Sequence, residues 1–237
     1  MAFGHGKNTR VYINGYDLTG FFRQYDSDLV REVADSSVFN VNDKTYLPGK
    51  RDATVSLEGL YDGAAGAVDE VLHTALSQDP SLLVVCPQGD ANGNVAHGID
   101  GRLSDYGIQS PLDDIVAISD ELQSVVGRDR LIVQHAMGTE VATGNGPAQD
   151  GGAQSANGGV GYLQVPDITG ITNLAVVIQD SADGSTGWVT ILTFAGVTAD
   201  RAKERVAISG TVRRYTRASW TFTGAGSAQF FVGFGRK

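Results

Sequence analysis

The sequence predicts a mainly β protein in two parts: an antiparallel sheet carrying one helix, then a smaller all-β sandwich. Three observations carry this. Short apolar runs separated by turn residues recur along the whole chain, one stretch alone has helical period, and seven glycines fall between Gly144 and Gly161. The 237 residues allow one or two domains at roughly 150 residues each, and 41% hydrophobic residues suffice for real cores.

In the first part, Arg10–Ile13 and Tyr16–Leu18 flank Asn14-Gly15, the strongest short hairpin signal. Residues 28–35 suit a strand. Ser36–Arg51 is then a polar stretch with scattered Phe39, Tyr46 and Leu47, and Pro48-Gly49 marks a turn. Ala53–Leu60 alternates strictly, Val55 and Leu57 against Thr54, Ser56 and Glu58, as a half-buried strand does. Between Asp62 and Gln78, Val68, Val71, Leu72, Ala75 and Leu76 form one helical stripe. Asp69 and Glu70 sit near its start, where the dipole favours acids, and Pro80 lies past its end. Strands follow at 81–86, 95–108, 115–126 and 131–135, with turns at 89–93, 111–113 and 127–129.

The run GNGPAQDGGAQSANGGVG resists regular structure, because glycine loses the most entropy on ordering. It is expected to be a linker over 144–159 between a domain at 1–143 and a C-terminal β-sandwich at 160–237. Six short strands are expected beyond it, at 161–165, 174–179, 188–193, 205–208, 211–222 and 228–234, without a helix. The charge changes sign there too. Residues 1–145 carry ten Lys or Arg against 21 Asp or Glu, a net of −11; the rest carry eight against six, a net of +2. An acidic body argues against nucleic acid as a bound ligand, which needs Lys and Arg to neutralise phosphates.

No cluster of catalytic or metal-binding type stands out. His5, His73, His97 and His135 are scattered, and Cys86 has no cysteine partner. Gly4-x-Gly6 precedes a strand and so is no dinucleotide turn. Asp113-Asp114 and Asp120-Glu121 are expected to be solvated acids, not an acid and base pair. Arg213, Arg214, Tyr215, Arg217 and Trp220 are the most suggestive local group: an outer strand face with Trp220 and Phe222 in the core, or a carbohydrate or protein contact. No apolar stretch suits secretion or a membrane span.

Several segments together resemble the major tail proteins, or tail tube proteins, of long-tailed bacteriophages. They are RVYINGYDLTGFF, LPGKRDATVSLEGLYDG with the helix after it, GVGYLQVPDITG, IQDSADGSTGW, VRRYTRASWTFTG and the ending FFVGFGRK. The resemblance implies a β-sandwich or half-barrel with one flanking helix, a structural virion protein and no enzyme, cofactor or metal. It implies rings, usually of six subunits, stacked into a tube that conducts genomic DNA during ejection. The protein would be made in the host cytoplasm and meet tape measure, tail tip and tail terminator proteins, but no membrane. An acidic lumen would keep DNA from sticking. Ser36–Arg51 would be the loop reaching an adjacent ring, with Phe39, Tyr46 and Leu47 as inter-ring contacts. The C-terminal sandwich would decorate the exterior or join the tube wall. Two other classes remain open: a carbohydrate-binding or surface-adhesion β-sandwich, with Tyr215 and Trp220 as stacking platforms, and a hydrolase, disfavoured by the lack of a nucleophile and base.

Overall fold

A computed structural model describes residues 5–39, 42–78 and 80–237. Gly4 and the 40–41 part of the Ser36–Arg51 segment therefore lie outside the described residues. In chain order the elements are β1 (Arg10–Ile13), β2 (Tyr16–Asp17), β3 (Phe22–Asp35), β4 (Tyr46–Leu60), α1 (Val68–Ala75), β5 (Ser81–Cys86), β6 (Val95–Gln109), β7 (Ala117–Glu140), β8 (Gly144–Asn145) and β9 (Gln149–Asp150). Then follow β10 (Gly159–Thr169), β11 (Asn173–Ser181), β12 (Val189–Thr193), β13 (Ala202–Ile208), β14 (Tyr215–Thr223) and β15 (Ser227–Arg236).

Two antiparallel sheets hold these strands. The first runs β13-β10-β15-β7-β6-β5-β1-β2, with β4 also paired to β7 and β3 paired to β4. The second runs β12-β11-β14-β8, with β9 also on β14. Asn14 and Gly15 turn the first hairpin with φ of 52° and 81°, the two left-handed residues that a tight hairpin turn demands.

The apolar run of β5 is continuous because the strand is buried on both faces. Leu83 and Val85 join Val68, Val71 and Leu72 of α1, with Val55 and Leu57 of β4, in one core. Leu82, Val84 and Cys86 face a second core with Leu131, Val133, Tyr162 and Phe231. The same sheet supplies both walls of that second core, so it curls into a half-barrel. Its two ends are joined by side chains. Gln164 Oε1 accepts from the Gly15 N–H at 2.6 Å, Gln164 Nε2 donates to Leu82 O, and Lys203 Nζ donates to Asn14 Oδ1. A third core, with Val176, Ile178 and Trp220 opposite Phe230, Val232 and Phe234, fills the sandwich between the two sheets.

Three expectations need correction. The strands placed at 115–126 and 131–135 are one strand, β7. Gly127, at φ 82°, absorbs an irregularity in mid-strand where a turn was expected. Pro48-Gly49 is no turn either. It lies within β4, where the register against β3 shifts between Arg31 and Val33. Only residues 36–45 connect the two strands, so Tyr46 and Leu47 belong to a hairpin arm and not to a loop.

The third correction concerns residues 144–159, which do not run as a loose tether. The Gly146 N–H donates to Ala218 O, Gly151 N–H to Arg214 O, and Ser155 exchanges both backbone bonds with Val212. Asp150 accepts two bonds from the Arg214 guanidinium. The glycines permit this by close approach: a Cβ on Gly144 would stand 2.9 Å from the Trp220 ring, and one on Gly146 only 2.6 Å from Gln134 O. Glycine content signalled tight apposition here. Nor does the sheet stop at this segment, since β15 lies between β7 and β10.

Candidate assembly interface

β3 and β4 form a long hairpin whose two halves differ. Phe22↔Gly59 to Asp28↔Thr54 lies over the body, where β4 also pairs with β7 from Thr54↔Gln123 to Leu60↔Ala117. Beyond Ala53 the arm pairs only with itself, out to Asp35↔Tyr46. Its closure is polar. Ser36 Oγ donates to Thr45 O, Thr45 N–H donates to Ser37 Oγ, and Asp35 Oδ1 accepts from Ser37 N–H.

The register assigns side chains to faces, because directly opposed residues share one. Leu29, Arg31, Val33, Pro48 and Tyr46 fall on one face, and Val30, Ala34 and Leu47 on the other. Both faces are solvent-exposed. Phe39 at the tip is fully exposed, Leu47 62% and Tyr46 52%. The three residues singled out as contacts thus share one arm but not one face. Sequence reasoning missed Leu29, Val30 and Val33, which are exposed beside them. The run LVREVA suited a strand, and nothing in it told a body strand from an arm.

The other singled-out residues have other places. His73 is exposed on α1, and the His97 ring lies 3.0 Å from the Tyr25 hydroxyl. His135 stacks on Phe230 at 4.2 Å with a ring nitrogen 3.2 Å from Glu140. His5 accepts from the Lys7 N–H at the start of a 3-10 turn. No group of three or more metal-ligating side chains occurs among the described residues. Cys86 is free and buried, and burial pushes its thiol up. In the basic group, Arg213 binds Asp180 and the Gly187 carbonyl, and Arg214 binds Asp150. Arg217 lies over the Trp188 ring at 4.2 Å. Trp220 is buried and donates its indole N–H to Ala142 O.

Asp113 and Asp114 are exposed, as expected of solvated acids. Asp120 is not: it is 4% exposed, Oδ1 has no hydrogen-bond partner, and burial pushes its carboxyl up to about 8. It lies in β7 between Leu57 of β4 and Tyr106 of β6. Asp120 is two residues from both Ile118 and Leu122, so on a strand it shares their face, and that spacing was the available signal.

No protein-family model matches the sequence, and no curated protein matches it. Several solved structures are similar at low identity. A chain of the native gene transfer agent virion aligns over 54% of this chain and 98% of its own, at 13% identity and a TM-score of 0.45. The SPP1 tail tube aligns over 54% of this chain and 78% of its own, at 14% identity and 0.44. The SPP1 Dit protein, described as a hub of the adsorption apparatus in phages infecting Gram-positive hosts, aligns over 95% of this chain and 98% of its own, at 12% identity and 0.39.

Proposed function

We propose that the protein is a structural subunit of a phage tail that self-assembles into rings, six-membered in the usual case, stacked as a DNA-conducting tube. The arm is the observation that carries this reading. It presents Leu29, Val30, Val33, Tyr46, Leu47 and Phe39 to solvent, on both faces and at the tip. Exposed apolar surface of that kind marks an interaction site. A long unpaired edge such as that of β3 invites another chain to pair with it or cover it, and ring closure does so. The sequence resemblance supplies the setting, and the net charge of −11 on residues 1–145 suits a conduit that must not hold DNA. In this reading the curled sheet builds the wall and the second sheet decorates its exterior. Tape measure, tail tip and terminator proteins would be the partners, and the role needs no catalysis. The carbohydrate-binding alternative loses its platform, since Trp220 is buried and Tyr215 lies on the opposite face of β14.

Negative-stain microscopy of concentrated protein, with and without a tail-tip extract, tests the reading. Stacked rings are expected. Rings that never stack would place the subunit in a single-layer part of a tail. A protein that remains monomeric under every condition would contradict the proposal.

A further inference from the structure

Between the arm and the sandwich, β7 loses its neighbour on one side. β4 leaves it at Gln123, and β15 joins it only at Ile132. The fork encloses a cleft of about 430 Å³ lined by Arg51, Arg128, Arg130, Arg236 and Lys237, with Leu29 and Val126. Two of these cations are committed. Arg128 donates to Ser27, and Arg236 donates to the carbonyls of Ala153, Arg213 and Arg214. The acid in the cleft, Asp129, is bound by Arg205 and by the Tyr162 hydroxyl. No ion pair among the described residues reaches Arg51, Arg130 or Lys237. Arg51 also stands directly opposite Arg31 in the arm, and like charges so placed are destabilising. The cleft therefore holds Arg51 and Arg130 without an ion-pair partner among the described residues, beside exposed Leu29 and Val126.

The complementary surface lies at the start of β7, whereas the fork lies in its middle. The connection from β6 to β7 reads SPLDDIV over 110–116, and Leu112, Asp113, Asp114 and Ile115 are all exposed. Two adjacent acids flanked by two apolar side chains match the cations and apolar groups of the fork. One chain cannot make this contact with itself, because loop and fork are roughly 30 Å apart along β7 at about 3.3 Å per residue. A contact between two unlike surfaces of the same chain is head-to-tail, and such contacts propagate into rings or filaments.

We propose that the basic fork receives the 110–116 loop of a second copy of this chain, with Asp113 and Asp114 on Arg51 and Arg130. The inference rests on the self-assembly reading above and names the contact that transmits it. Like other rim charge pairs, this one sets encounter rate and salt sensitivity.

Charge exchange tests it. Three variants are compared with the unaltered chain by sedimentation and microscopy at low salt: D113R/D114R, R51E/R130E, and all four changes in one chain. Each double variant is expected to lose assembly and the fourfold variant to regain it. A double variant that assembles normally, or a fourfold variant that does not regain assembly, overturns the contact while leaving the assembly reading intact. Failure of the unaltered chain to assemble overturns both. A second measurement is independent of charge. Asp113→Cys with Arg130→Cys is expected to give a covalent ladder on oxidation of the assembled protein, and monomers alone would refute the contact.

Discussion

The inner and outer halves of the β3–β4 hairpin are one pair of strands in two environments. In the inner half Val55 and Leu57 are each 1% exposed, held under α1 and beside β7. In the outer half Val33 and Leu47 are comparable side chains, each 62% exposed. The inner half alternates in sequence, whereas the outer half carries apolar residues on both faces. The difference is the neighbour: β7 accompanies β4 only as far as Thr54. An apolar side chain that folding leaves exposed on an ordered strand adds nothing to the stability of the single chain, so its burial awaits another one.

The largest effect expected breaks the comparison from beneath. Deleting residues 152–237 removes β10 and β15, and with them Tyr162 and Phe231 from the half-barrel core. It leaves the second half of β7 as a bare edge. The shortened chain is expected to be insoluble or molten, read by circular dichroism and gel filtration. A soluble, folded fragment that builds a thinner tube would instead support the separable outer domain that the glycine run suggested.

Single substitutions sharpen the contrast. Leu57→Ala is expected to cost about 2–5 kcal/mol in denaturant unfolding of the isolated chain. Leu47→Ser is expected to stay within about 0.5 kcal/mol in the same assay, yet to impair assembly. Comparable costs at both sites would mean that the arm folds back on its own chain.

A smaller, pH-graded effect sits beneath the inner half at Asp120. Its carboxyl, raised to about 8 in the fold, ionises near 4 when unfolded. Between those values the folded state binds the extra proton, so stability falls as pH rises through this window and levels off above it. Asp120→Asn is expected to flatten that fall and to gain on the order of 2 kcal/mol at pH 8 relative to the parent chain. Parallel pH profiles for the two proteins would show Asp120 to be solvated.

Much of this was legible in the sequence. The Asn14-Gly15 hairpin, the Val68–Ala75 stripe, and the six later strands followed from period and turn chemistry, because each depends on neighbours in sequence. The long span of β7 did not, since Gly127 reads as a turn locally and only pairing with β6, β4 and β15 keeps the strand going. Nor did the docked course of 144–159, because close approach of glycine to Trp220 is a tertiary fact. Phe39, Tyr46 and Leu47 stood out as apolar residues without a local pattern. Val30 and Val33 were hidden within a run that already suited a strand.

The central claim is that another copy buries the outer half of the arm, and thiol labelling of single cysteines tests it most directly. Cys86 is fully buried and stays silent, so Val33→Cys reports one face of the arm and Val30→Cys the other. Both are expected to react readily with a maleimide in the isolated chain. On assembly at least one face is expected to become protected. Unchanged labelling of both positions in microscopically verified tubes would contradict the account.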